Sequence, residues 1–101
     1  MTPPYADLVT EHGRLSILRL LADQSGYEAN CSVLKDGLEL YAVIRWSRDR
    51  VRSEVAWLAE QGLVKSRQAG NLTVATLTQR GADVADGTST TPGVKRPSPT
   101  D

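Results

Sequence analysis

A chain of 101 residues holds one small domain. Twelve basic residues balance twelve acidic ones, which excludes a strongly basic nucleic-acid binder judged on total charge and leaves the distribution of charge to be read. A single cysteine excludes an intramolecular disulfide, and no apolar run approaches the length of a membrane span.

In chain order, Pro3-Pro4 precede a first helix predicted from Tyr5 to about Asp23. Leu8, Leu15, Leu18 and Leu21 or Ala22 form its apolar face, and Ile17 and Leu20 widen it. His12 lies on this face and reads as a packed side chain, with no second ligand or base beside it. Gly13 weakens the helix by ~1 kcal/mol against alanine. Gln24-Ser25-Gly26 is a turn, and Tyr27-Glu28-Ala29 is a short strand or a loop. Asn30 is the expected N-cap of a second helix, on which Cys31, Leu34, Leu38 and Tyr41 share a buried face. Val43 to Trp46 connect it to the next element, with Val43 and Ile44 expected inside.

The stretch from Ser47 to Gly62 is the best-defined helix. The Ser47 hydroxyl can accept from a free backbone N–H of the first turn, and Asp49 sits near the positive end of the helix dipole. Gly62 suits the left-handed conformation that often ends a helix. Val51, Val55 and Leu58 make one apolar stripe, while Asp49, Ser53, Ala56 and Glu60 face away from it. Leu63 to Ala69 and Leu72 to Leu77 are two strands joined by the hairpin turn Gly70-Asn71. Residues 78–85 form a final one or two helical turns. From residue 88 the chain is rich in Ser, Thr, Pro and Gly and is expected to be a disordered tail, so the domain spans 1–87 and the tail 88–101. The lone cysteine and an N-terminus without a signal core point to a cytoplasmic protein.

Charge is unevenly spread. Residues 1–44 carry three basic and six acidic groups, residues 45–67 carry six basic and three acidic, and the remainder is balanced. The positive charge therefore gathers on helix 47–61 and the strand after it.

Arg52 to Val64, RSEVAWLAEQGLV, resembles the end of the recognition helix in bacterial winged-helix regulators, where Leu-x-x-x-Gly-Leu-Val leads into the wing. Leu77-Thr78-Gln79-Arg80-Gly81 is similar to the Leu-Thr-x-x-Gly segment that closes the wing in several such families. The whole chain also resembles small winged-helix proteins of Mu-like temperate phages and prophages. The resemblance implies a mainly α fold with a small β-hairpin (α+β), a winged helix-turn-helix of three core helices and a two- or three-stranded wing. It implies a DNA-binding transcriptional regulator whose partner is double-stranded DNA. On that expectation Ser47, Arg48, Arg50, Arg52 and Ser53 face the major groove or its flanking phosphates. Arg45, Lys65, Arg67 and the tip at Gly70-Asn71 meet the backbone or the minor groove. Asp49 and Glu60 share the outward face and oppose such contact.

A homodimer is a further partner to be considered, though the long C-terminal dimerisation helix of larger regulators has no counterpart here. The alternative reading is a protein-docking module without DNA binding, using an exposed Trp57. No nucleophile–base pair, metal motif or phosphate loop marks an enzyme, and no cofactor is implied. One His and one Cys cannot build a four-ligand metal site within one chain.

Overall fold

The computed structural model describes residues 4–98; the first three residues of the expected domain and the last three of the expected tail lie outside it. Helix α1 spans Tyr5–Ala22. A single 3-10 turn leads into strand β1, Glu28–Asn30, and helix α2 follows at Cys31–Gly37. A π-helical turn, Leu38–Ala42, extends α2. Helix α3 is Arg48–Glu60, strands β2 and β3 are Val64–Ala69 and Leu72–Leu77, and helix α4 is Gln79–Asp86.

The caps explain most of these boundaries. Asn30 accepts from the Val33 backbone N–H at 2.9 Å and starts α2. Ser47 accepts from the Arg50 N–H at 3.0 Å and starts α3. Both satisfy first-turn donors that a helix cannot pair internally. The strands form an antiparallel sheet in the order β1-β3-β2, so the segment before α2 completes a three-stranded wing. Glu28 lies opposite Thr76 on one side of β3, and Lys65 lies opposite the same residue on the other. The hairpin tip has a positive φ at Gly70 and not at Asn71, the pattern of a type II′ turn.

Thr78 joins the wing to the body. Its hydroxyl accepts from the Gly81 N–H and lies 2.8 and 2.9 Å from the carbonyls of Gly62 and Leu63. Gly81 is there because a Cβ would meet the Leu63 carbonyl oxygen at 2.0 Å. The Leu-Thr-x-x-Gly pattern is thus a hydroxyl cap followed by a residue that must have no side chain.

The core joins Leu15, Leu18 and Leu21 of α1, Leu34 of α2, Val51, Val55 and Leu58 of α3, and Ala75 of β3. Cys31 is buried among them, as its spacing predicts.

Four expectations are corrected. Tyr41 is exposed, because the π-helical turn rotates it off the face it would share with Leu34 and Leu38 on a regular helix. Val43 is exposed too, in a left-handed conformation with φ of 56° that closes the π-helical turn. Leu8, in the first turns of α1, is 45% exposed and not part of the core. The tail expected to be disordered from residue 88 instead packs on the domain as far as it is described. Thr91 and Val94 are buried, and the Lys95 backbone N–H donates to the Glu11 carbonyl at 3.2 Å.

Candidate nucleic-acid interface

Helix α3 turns Val51, Val55 and Leu58 inward, which leaves Arg48, Asp49, Arg52, Ser53, Ala56 and Glu60 on the solvent side. Ser53 and Ala56 are small, so the middle of this face is flat. Helix α2 packs against α3 beside its first turn, where the Arg48 guanidinium lies 3.4 Å from the Ser32 hydroxyl. The wing follows at once, and Lys65 through Gly70 are exposed along its outer strand.

The proposed contact residues divide into three groups. Arg48 and Lys65 are exposed, and among the described residues neither has an acidic partner within ion-pair distance. Arg45, Arg52 and Arg67 are exposed but shared with carboxylates: Arg45 with Glu39 at 3.9 Å, Arg52 with Asp49 at 3.0 Å, Arg67 with Glu28 at 3.4 Å. Exposed pairs of this kind contribute only ~0–1 kcal/mol, so a phosphate can compete for each arginine. Ser53 and Asn71 stand exposed on α3 and at the hairpin tip. Ser47 is exposed, but its side-chain oxygen already serves the cap.

Arg50 falls in the third group, engaged within the fold. Its Nε donates to Glu54 Oε2 at 2.7 Å, its Nη2 donates to the Thr10 hydroxyl at 2.8 Å, and its guanidinium stacks on Trp46. The other oxygen of Glu54 accepts from Arg14 Nε at 2.7 Å. Arg14 in turn stacks on Trp57 and donates to the Gly93 carbonyl. A buried carboxylate therefore holds two arginines, each laid on a tryptophan, and fastens α3 to α1 and to the tail. Trp57 is not the exposed contact that its sequence position suggested, because Arg14 and the chain around Gly93 cover it.

Sequence reasoning missed Glu54. Its spacing of four from Arg50 was visible, but its second partner lies forty residues away on α1. The Cys31 thiol sits below this interface. Burial pushes its pKa up, against the opposing pull of Arg52 and Arg48, so it is held as a neutral core group.

No family model matches the chain. It is 50% identical over 93 residues to the protein gp26 of Escherichia phage Mu, a match covering 92% of this chain and 95% of that protein. A Haemophilus influenzae protein is 44% identical over 77 residues, covering 75% of this chain and 74% of its own length. Among solved structures, RosR of H. salinarum superposes with a TM-score of 0.64 at 22% identity, over 72% of this chain and 64% of that one. A MarR family transcriptional regulator from Streptomyces coelicolor gives 0.61 at 28% identity, over 71% and 46%. The DNA-binding domain of the repressor BlaI gives 0.53 at 17% identity, over 65% and 76%. The fold is that of winged-helix regulators, and the chain spans less than two thirds of the RosR chain.

Proposed function

We propose that this chain, which belongs to the family of phage Mu gp26 and carries the winged-helix fold, binds duplex DNA as a transcriptional regulator. The observation that carries the reading is the arrangement of exposed cations. Arg48 and Arg52 stand one helical turn apart on the solvent face of α3, and Lys65 and Arg67 continue on the wing strand that follows. Helix α3 enters the major groove through Arg48, Arg52 and Ser53, while Lys65, Arg67 and Asn71 lie along backbone or minor groove. Arginine at the helix positions suits forked contacts to phosphate or guanine. The solved neighbours whose roles are named are a transcriptional regulator and a repressor, which supports a non-catalytic role.

Arg50 is left out of this contact set, because Glu54, Thr10 and Trp46 hold it. Arg45 reaches backbone beside the helix start, once freed from Glu39.

Fluorescence polarisation with random-sequence duplex at two salt concentrations tests the reading. The parent protein should bind, more tightly at low salt. Arg48→Ala with Arg52→Ala should weaken binding and flatten the slope of log affinity against log salt by up to about two units, at ~0.9 per phosphate contact. A parent that binds no better than the double variant, with both folded, removes the DNA reading.

A further inference from the structure

The outermost line of α3 runs through Asp49, Ser53, Ala56 and Glu60, opposite the buried stripe of Val51, Val55 and Leu58. Glu60 stands at the far end of the helix, so the charge at the centre of the first turn is an anion. The Asp49 side chain is 89% exposed. Its Oδ1 accepts from Arg52 Nη2 at 3.0 Å, and Oδ2 has no hydrogen bond among the described residues. Arg52 is exposed as well, and the rest of its guanidinium fork stays open to solvent. The pair therefore presents a row of donors with an acceptor beside it.

Such a pair does not suit a helix that only rests on phosphates. A carboxylate accepts and never donates, and phosphate oxygens repel it. The first turns of a recognition helix are those that reach base edges. An aspartate is short, so it reaches a base only where the helix backbone comes close. Ser53 and Ala56, next along the line, are small enough to allow that approach. In the major groove the donors on offer are the amino groups of cytosine and adenine. The adenine amino group lies between two acceptors, its own N7 and the thymine O4, which repel a carboxylate from both sides. The cytosine amino group ends the row of a G·C pair, after guanine N7 and O6. Donors followed by an acceptor complement that row.

We propose that Asp49 is the specificity-determining residue of the DNA contact and that, with Arg52, it reads a G·C pair. Arg52 forks onto guanine N7 and O6. Asp49 Oδ2 accepts from the cytosine amino group, while Oδ1 holds the arginine in position. This recognition rests on the DNA binding proposed above and names what that face selects. On other sequences the carboxylate finds no unopposed donor and counts against binding, which keeps the helix off the wrong DNA. Arg48, Lys65 and Arg67 supply affinity that carries no sequence information.

The test selects duplexes from a randomised library with the full-length parent. Fluorescence polarisation then compares the selected duplex, the same duplex with each shared G·C pair changed in turn to A·T, and random duplex. The selected set should share a G·C pair, and changing it should weaken the parent's binding by roughly 5- to 150-fold, the range of one good base contact. Asp49→Ala should lose that preference and bind random duplex at least as tightly as the parent. Arg52→Ala should lose the preference and bind random duplex more weakly, because on random sequence it turns to phosphate. Arg48→Ala should weaken all duplexes alike and keep the preference. Circular dichroism should show each variant folded, since all three positions are exposed. A selected set without a shared G·C pair, or a preference that survives Asp49→Ala, overturns the proposal and leaves DNA binding standing. So does a folded Asp49→Ala variant that binds random duplex less tightly than the parent. A parent that binds no duplex overturns both.

Discussion

Glu54 carries two short charged hydrogen bonds, to Arg14 and Arg50, from a position only 6% exposed. A buried carboxylate with this many donors is worth little against an apolar replacement but is costly to remove from one side. Glu54→Ala leaves the Arg14 guanidinium, largely buried, without its anion. The expected loss is ~3–5 kcal/mol, at the lower end because Arg50 is half-exposed and regains water. Glu54→Gln keeps one acceptor and should cost clearly less; urea denaturation of both variants gives the comparison. Cys31 adds a pH term of known sign. Burial holds its folded pKa above the ordinary value, so the folded chain keeps the proton where the unfolded chain has lost it. The resulting stability is whole below the unfolded thiol pKa of about 8.5 and is lost as pH rises through the folded value. The urea midpoint should therefore fall between pH 7 and pH 10, and Cys31→Ala should show less of that fall.

The segment after α4 behaves as an element although it has no regular structure. Val94 is buried, the Gly93 carbonyl accepts from Arg14 at 3.0 Å, and Lys95 bonds to the Glu11 carbonyl. Burying a valine contributes ~1.5–3 kcal/mol, and each net hydrogen bond ~0.5–1.5. The conformational entropy lost on ordering the segment offsets part of this. A chain ending at Gly87 should consequently lose ~1–2 kcal/mol and melt several degrees lower, at roughly 4–8 °C per kcal/mol for a domain this size. Its tryptophan emission should shift to the red as Trp57 is uncovered. A truncated chain with the parent's melting point and emission would restore the sequence expectation of an idle tail. The contrast shows what the sequence could disclose. Helix starts at Asn30 and Ser47 and the hairpin at Gly70-Asn71 were legible, because caps and turns are chemistry between near neighbours. The outward face of α3 was legible for the same reason, from the spacing of Val51, Val55 and Leu58. The tail was not, since a composition poor in apolar residues concealed the single valine that joins the buried core. Nor was the π-helical turn, whose extra residue per turn shifts Tyr41 without any local signal. Gly13 was read as a weak point in its helix, whereas a Cβ there would sit 2.2 Å from the Trp46 ring.

At the scale of the molecule, charge is separated while its total is zero, with the surplus of cations lying in residues 45–67. Six basic residues fall there, but the fold withdraws one of them. Arg50 is fastened to Glu54, which leaves Arg45, Arg48, Arg52, Lys65 and Arg67 for a polyanion. If all five meet phosphate, the salt slope per chain reaches about 4.5, at ~0.9 each. Single substitutions should then separate two kinds of arginine. Arg48→Ala should flatten the slope by about 0.9 while changing stability by less than ~0.5 kcal/mol, as an exposed side chain without an acidic partner does. Arg50→Ala should do the reverse. It takes a donor from buried Glu54 and a cation from the Trp46 ring, so the urea midpoint drops while the slope stays at the parent value. The crossed result is informative because both residues lie in the first turn of one helix, and a general disturbance of α3 would move both readouts together. A flattened slope with Arg50→Ala would mean that the Glu54 pair opens on DNA, and Arg50 would return to the contact set that its sequence position suggested. A parent with no measurable slope would take the function away from this face altogether.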